Sequence, residues 1–182
     1  MKKTIFLSTI FAAWLLSANA QIVTVDNADV KKDWSAGGCV ISLDTKDVKE
    51  GKAALLSEGE GPYRFRKVFN NPVDIGTDGT TGYLSFWYYI DNIDEVNLNR
   101  GFMIISSSGK AEEEALRLPF KNLSLSKGWN YVQLNLADAQ RSGNFTGKIN
   151  YFALFQRGTT TSSSFKMDDV RFSKNYDDLK IK

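Results

Sequence analysis

The segment Tyr83-Leu84-Ser85-Phe86-Trp87-Tyr88-Tyr89-Ile90 carries the clearest strand pattern in this chain. Successive side chains of an extended strand point to opposite sides, so two alternating sets can be read from it. The set predicted to lie in a core is Leu84, Phe86, Tyr88 and Ile90. The set predicted to face outward is Tyr83, Ser85, Trp87 and Tyr89. This outward face therefore combines large rings with polar groups.

The segment 129–136 repeats this pattern, burying Val132, Leu134 and Leu136 and turning Trp129, Tyr131, Gln133 and Asn135 outward. Elsewhere, period-two segments alternate with clusters of Gly, Asn, Asp and Ser, which is typical of an all-β sandwich or barrel. About ten strands are predicted between residues 22 and 172. A chain of 182 residues with this pattern fits one globular domain.

Two residue counts exclude whole classes of function. The chain contains no histidine, which rules out Ser-His-Asp and Cys-His catalysis and zinc sites built on histidine. Cys39 is the single cysteine, so no disulfide can form within the chain and the core must hold the fold.

Residues 1–20 have the pattern of a secretory signal peptide. Lys2 and Lys3 precede an apolar run from Ile5 to Leu16, and Ala18-Asn19-Ala20 supplies a small-x-small cleavage site. The apolar run is about 12 residues, shorter than the roughly 20 that a membrane-spanning helix needs. We therefore expect a mature chain of residues 21–182 that is secreted or periplasmic and does not insert into a membrane.

The predicted mature chain is formally neutral. The full sequence has 23 basic and 21 acidic residues, and cleavage removes the two lysines of the signal. A neutral surface lacks the long-range field that attracts phosphate backbones or anionic lipids. Nucleic acid is therefore excluded as the expected partner, and uncharged ligands are favoured.

The order of motifs resembles the galactose-binding-like jelly-roll family, the β-sandwich of many carbohydrate-binding modules. The matching segments are Asp33-Trp34, Lys49-Glu50-Gly51-Lys52-Ala53-Ala54-Leu55, the strand at 83–88, Gly128-Trp129-Asn130-Tyr131-Val132-Gln133-Leu134, and Met167-Asp168-Asp169-Val170-Arg171-Phe172. The resemblance implies a jelly-roll sandwich of two antiparallel sheets over residues 21–182. It also implies a non-catalytic role in binding a glycan. A legume-lectin-like sandwich is the competing fold.

Sugar recognition needs flat apolar rings beside side chains that hydrogen-bond to hydroxyl groups. The residues that fit this requirement are Trp87, Tyr89, Tyr131, Gln133, Arg64, Arg66 and Arg117. Arg64 and Arg66 are expected to share one face of their strand. Our hypothesis is that members of this set line one concave sheet face with Trp87 at its centre. In the alternative, loops or the N-terminal segment cover the outward rings.

The Asp168-Asp169 pair suggests a cation site, because carboxylates are calcium ligands. The resemblance implies one structural calcium ion with Asp168 as a ligand and Asp26 as its partner. In the alternative, Asp168 accepts backbone hydrogen bonds where strands cross.

The sequence thus predicts an exported, non-catalytic carbohydrate-binding protein. A protein-interaction or structural module that uses the same surface against a protein partner is the first alternative. A glycoside hydrolase or polysaccharide lyase is a distant third. The acidic run Glu112-Glu113-Glu114 is interpreted as solvated rather than catalytic, because glycosidases need two carboxyl groups that face each other across a cleft.

Overall fold

A computed structural model describes residues 22–156 and 163–180 of the chain. The described strands are β1 (Val23–Asp26), β2 (Trp34–Gly37), β3 (Val40–Asp44), β4 (Ala54–Glu58), β5 (Tyr63–Asp74), β6 (Tyr83–Ile90), β7 (Phe102–Ser106), β8 (Ala115–Pro119), β9 (Gly128–Asn135), β10 (Gln140–Ser142), β11 (Lys148–Phe155) and β12 (Ser164–Ser173). Three short 3₁₀ helices cover Ile93–Glu95, Leu136–Asp138 and Tyr176–Leu179. The predicted signal peptide, residues 1–20, lies outside the described residues.

The strands form two antiparallel sheets of six strands each. The first sheet has the order β3-β4-β12-β6-β9, with β1 also paired to β12. The second sheet has the order β10-β8-β7-β11-β5-β2. The predicted all-β jelly-roll sandwich is therefore confirmed.

The core lies between the two sheets and follows the alternation read from the sequence. Leu84, Phe86, Tyr88 and Ile90 of β6 are all fully buried. The inward residues predicted for β9 join the same apolar cluster, as do Phe152 and Leu154 of β11 and Val170 and Phe172 of β12. Trp34, which follows a left-handed Asp33, packs edge-on against Phe65 and Phe152 from the second sheet.

The described residues contain twelve strands, two more than predicted. The short strands β2 and β10 lack the apolar alternation on which the prediction depended. Strand β5 also runs through Asn70-Asn71-Pro72, where turn residues predicted a break, and its pairing with β11 is irregular nearby. Among the described residues, no helix is long and apolar enough to cross a membrane.

Candidate functional site

The outer face of the first sheet carries the aromatic residues predicted from alternation. Trp87 and Tyr131 sit side by side on β6 and β9, with ring centroids 5.0 Å apart. Tyr89 and Trp129 form a second pair, 5.4 Å apart. The sequence therefore placed these rings on the same face correctly.

Residues of the β3–β4 loop and of β12 lie over these rings. The Lys49 ammonium is 4.8 Å from the centre of the Trp87 ring, and the Lys166 ammonium is 4.5 Å from that of Tyr89. The indole N–H of Trp129 donates a hydrogen bond of 2.8 Å to Asp47. Through these cation–π contacts, the rings already interact with other side chains of the same chain.

Lys166 is the electrostatic centre of this arrangement. Its ammonium lies 2.7 Å from a carboxylate oxygen of Asp44 and 2.7 Å from one of Asp47. Its hydrogen bond lowers the pKa of Asp44 to about 2 and also lowers that of Asp47. Burial opposes the charge on Lys166, but the two carboxylates outweigh it and raise the pKa of the lysine. The cluster therefore ties the loop to the sheet.

The C-terminal 3₁₀ segment covers another part of the same face. The Tyr131 hydroxyl donates a hydrogen bond to the Leu179 carbonyl, and Gln133 donates one to the Tyr176 carbonyl. A groove of about 420 Å³ remains beside Trp87 and is walled by Glu50 and Arg171. These contacts favour the alternative in which the chain itself covers much of the ring surface.

The predicted arginines do not lie on this face. Arg66 and Arg117 project from β5 and β8, which belong to the second sheet, so the sandwich separates them from Trp87. The prediction that Arg64 and Arg66 share a face is wrong. Arg64 is fully buried, its guanidinium stacks 4.4 Å from the centre of the Phe165 ring, and it donates a 2.7 Å hydrogen bond to the Gln156 carbonyl.

A register shift explains the position of Arg64. In the β5–β11 pairing, Phe155 is opposite Tyr63 whereas Leu154 is opposite Phe65, so Arg64 has no cross-strand partner. The irregularity breaks the alternation and allows the side chain to turn into the sandwich. The sequence alone does not show where such a shift occurs.

The outer face of the second sheet carries a second aromatic cluster that is separate from the core. Its ring members are Tyr63, Phe102, Tyr151 and Phe155. The Arg117 guanidinium lies 3.7 Å from the centre of the Phe102 ring. The rings of Phe102 and Phe155 are stacked, with centroids 4.6 Å apart and an interplanar angle of 5°. Tyr63 contacts Phe155 edge-on, with ring centroids 5.1 Å apart. The result is a continuous stack across four neighbouring strands, from β8 to β5.

A row of residues at one register level runs beside this stack across the whole sheet. From edge to edge it consists of Gln140, Arg117, Ile104, Ala153, Arg66 and Ser35. The row has a depression at its middle because Ile104 is buried and Ala153 has a short, buried side chain. Polar side chains project toward both ends of the row. At about 4.8 Å per strand, the row spans roughly 24 Å.

Two grooves open along this face. One, of about 320 Å³, lies between the aromatic stack and the β7–β8 loop and is lined by Phe102, Ile104, Glu112, Arg117 and Gln140. The other, of about 390 Å³, lies at the β2 side and is lined by Ser35, Arg66 and Tyr151. Within the described residues, the side chains of Arg117 and Gln140 make no hydrogen bond or ion pair, so their donors are available to a ligand.

Period-two alternation along β11 puts Tyr151 and Phe155 on its outward side, but it does not join them to Tyr63 and Phe102. The available signal was the same alternation, applied to β5, β7 and β11. What alternation does not reveal is which strands are neighbours, and the aromatic stack exists only because four strands distant in sequence pair in this order.

The carboxylate of Asp168 is buried on β12, beneath the loop before β4. One of its oxygens accepts hydrogen bonds from the backbone N–H groups of Lys49 and Glu50, at 2.9 and 3.0 Å. The other oxygen has no hydrogen-bond partner among the described residues. Burial raises the pKa of this carboxyl to about 6. The backbone role weighed as the alternative is therefore present, with one oxygen left over.

Asp26 is already engaged by the protein. One of its oxygens lies 2.6 Å from the Lys67 ammonium, and the other accepts a 2.8 Å hydrogen bond from the Ala28 N–H. No group of three or more Cys, Asp or Glu side chains suited to a metal occurs within residues 22–156 and 163–180. Of the two predicted calcium ligands, Asp168 thus has a carboxylate oxygen without a partner among the described residues, whereas Asp26 would first have to leave Lys67.

Two residues of the acidic run before β8, Glu112 and Glu113, are exposed to solvent. Glu113 pairs with Lys110 at 3.0 Å, and both side chains are well exposed. Glu112 lines the groove beside Arg117 and is exposed to solvent.

The chain matches no protein-family model and no curated protein. Solved structures with the same fold do exist. A family 11 carbohydrate-binding module from Clostridium thermocellum, in complex with a β-1,3-1,4-mixed-linked tetrasaccharide, is 14% identical with a TM-score of 0.53, over 86% of this chain and 96% of that one. A point mutant of a family 29 module, complexed with mannohexaose, is 15% identical with a TM-score of 0.52, over 90% of this chain and 99% of that one.

An exo-β-agarase structure aligns with a TM-score of 0.58 at 11% identity, but 84% of this chain corresponds to only 25% of that chain. Identities this low establish the fold and not the function. This chain has the jelly-roll sandwich fold of the carbohydrate-binding modules, as the sequence resemblance implied.

Proposed function

We propose that this protein is an exported, non-catalytic carbohydrate-binding protein whose ligand lies across the outer face of the second sheet. The observation that carries the proposal is the groove beside the aromatic stack, where Arg117 and Gln140 keep unused hydrogen-bonding groups. Similarity in fold to modules whose structures contain a tetrasaccharide or mannohexaose supports the same class of ligand.

The groove has the chemistry that a sugar chain requires. Ile104 and the edges of the stacked rings give apolar surface for the C–H groups of a pyranose, and a guanidinium and a carboxamide reach toward its hydroxyls. The row across six strands is roughly 24 Å long, which suits an extended oligosaccharide rather than a single sugar. We expect a neutral glucan or mannan chain.

The Trp87 face is the less suitable site because its polar atoms are already paired. Asp47 accepts the hydrogen bond of Trp129, and the Lys166 ammonium is paired with the carboxylates of Asp44 and Asp47. A ligand there would have to displace contacts that fix the β3–β4 loop, and this displacement would reduce affinity.

A calcium ion would add stability rather than contact the glycan. In this proposal the unpaired oxygen of Asp168 binds the ion, which compensates the buried charge of that carboxylate. The site lies under the loop of Lys49 and Glu50 on the first sheet, away from the groove beside Arg117.

The decisive experiment compares two cations that each lie over a ring, on opposite faces. Arg117→Ala removes the guanidinium over Phe102, and Lys49→Ala removes the ammonium over Trp87. The mature chain, residues 21–182, and both variants are run in affinity electrophoresis through neutral and acidic polysaccharides.

The proposal predicts retention of the wild type and of Lys49→Ala by a neutral glucan or mannan. Arg117→Ala should bind at least about tenfold more weakly, the effect of losing about 1.4 kcal/mol of interaction. Weaker binding by Lys49→Ala together with unchanged binding by Arg117→Ala would move the site to the first sheet. Absence of retention on every polysaccharide would contradict glycan binding and favour a protein-interaction module.

A further inference from the structure

A fourth groove, of about 540 Å³, lies between the edge strands of the two sheets. Strand β9 ends the first sheet and β10 ends the second, and the 3₁₀ turn Leu136–Asp138 joins them. The groove is lined by residues from both edges, among them Tyr83, Asn122, Gln133, Asp138, Gln140 and Tyr176. We call it the edge groove.

The edge groove combines ring surface with carboxamides. Tyr176 is 46% exposed and is held by an edge contact with Tyr83, at 5.4 Å between centroids. Within the described residues, the side chains of Asn122 and Asp138 make no hydrogen bond or ion pair. A carboxamide presents both a donor and an acceptor, which matches the hydroxyl groups of a sugar.

The charges of the edge groove balance. One lysine, Lys121, and one carboxylate, Asp138, line it, and the other polar groups on its wall are uncharged. This composition favours a neutral ligand over an anionic one, because no cluster of cations is present to compensate a carboxylate or sulfate.

The edge groove is continuous with the groove on the second sheet. Gln140 lines both of them, and it is directly opposite Arg117 in the pairing of β10 with β8. Pro119, on the next outward position of β8, also lines the edge groove and is opposite Phe102. A chain that crosses the sheet along the Arg117 row therefore reaches the edge groove without leaving the protein surface.

We propose that the edge groove is a second part of the glycan site, which binds the sugar units that extend beyond strand β10. The inference rests on the proposed function of the second sheet. It adds that the protein recognises a long neutral chain, with the face groove and the edge groove occupied by different units of one ligand.

The test uses oligosaccharides of increasing length. Calorimetric titration of the mature wild-type chain with gluco-oligosaccharides of mixed β-1,3-1,4 linkage, and with manno-oligosaccharides, runs from the disaccharide to the hexasaccharide. Tyr176→Ala removes ring surface from the edge groove, Tyr176→Phe keeps the ring as its control, and Arg117→Ala alters the face groove. All four proteins are first shown to have comparable melting temperatures.

The inference predicts that wild-type affinity rises at least about tenfold between short and long ligands. Tyr176→Ala should abolish this gain and leave the affinity for short ligands unchanged, Tyr176→Phe should keep the gain, and Arg117→Ala should weaken binding at every length. Wild-type affinity that does not rise with length, or a Tyr176→Ala variant that keeps the gain, overturns the inference while the face site stands. If neither oligosaccharide series binds, the inference is overturned. The polysaccharide panel then decides the proposed function separately.

Discussion

Replacing Asp168 with asparagine should change how the stability of the fold depends on pH. Asparagine has nearly the same shape, and its side-chain oxygen can accept the same hydrogen bonds from the N–H groups of Lys49 and Glu50. It cannot ionise. The substitution therefore isolates the charge of this buried carboxylate.

The expected magnitude follows from the raised pKa of Asp168. In the unfolded chain this carboxyl titrates near 3.8, whereas burial raises its pKa to about 6 in the folded chain. Between pH 4 and 6 the folded state holds a proton that the unfolded state has lost, so stability falls as pH rises through this window. A difference of about two pKa units corresponds to about 3 kcal/mol at neutral pH.

The assay is chemical denaturation of the wild type and Asp168→Asn from pH 4 to pH 8, with a chelator present. The stability of the variant relative to the wild type should rise by about 3 kcal/mol across this range, or about 6–12 °C in melting temperature. The effects of other titrating groups largely cancel in the comparison. A difference between the two proteins that is the same at every pH would refute the reasoning.

Calcium provides the second arm of this experiment. If the free oxygen of Asp168 binds the ion, calcium in place of chelator should raise the melting temperature of the wild type and leave that of Asp168→Asn unchanged. An equal rise in both proteins, or no rise in either, would contradict the calcium proposal.

Four further substitutions test other contacts. Lys166→Met removes the hydrogen bond that lowers the pKa of Asp44 to about 2, so acid denaturation between pH 4 and pH 2 should cost the variant up to about 2 kcal/mol less than the wild type. Gly61→Ala would place a Cβ atom 2.0 Å from a backbone oxygen, so thermal unfolding should show a loss of stability above about 3 kcal/mol. Its control, Gly128→Ala, has open space around the new Cβ atom but a left-handed φ, and should lose about 1 kcal/mol of stability. Trp87→Ala should lose about 2 kcal/mol in denaturation and keep its glycan affinity. Equal effects of the two glycine substitutions, unchanged acid stability in the lysine variant, or lost glycan affinity in the tryptophan variant would contradict these readings.

Alternation predicted the core well because a residue's side of a strand depends only on local geometry. It predicted Phe86 as buried and Trp87 as outward from the sequence alone, and both are so placed. Alternation does not say which sheet a strand joins. For this reason Trp87 and Arg117, both outward, were grouped in one site although they lie on opposite faces of the sandwich.

The rest of the candidate site depends on long-range pairing. Phe102 and Phe155 are 53 positions apart, and they stack only because β7 and β11 are neighbours in register. The motif of the last strand singled out Asp168, but nothing in the sequence near Asp26 indicated that Lys67 would be the partner of Asp26. Contacts of this kind follow from topology, which a local pattern does not contain.

The most direct test of glycan binding at the second sheet follows heat and tryptophan emission together during one titration of the mature chain with its best oligosaccharide. Trp87 and Trp129 lie on the first sheet and Trp34 lies in the core, so the second sheet's outer face carries no tryptophan within the described residues. The account predicts a saturable heat of binding with tryptophan emission unchanged. Saturable binding accompanied by an emission shift that Trp87→Ala abolishes would place the ligand on the first sheet and contradict the account.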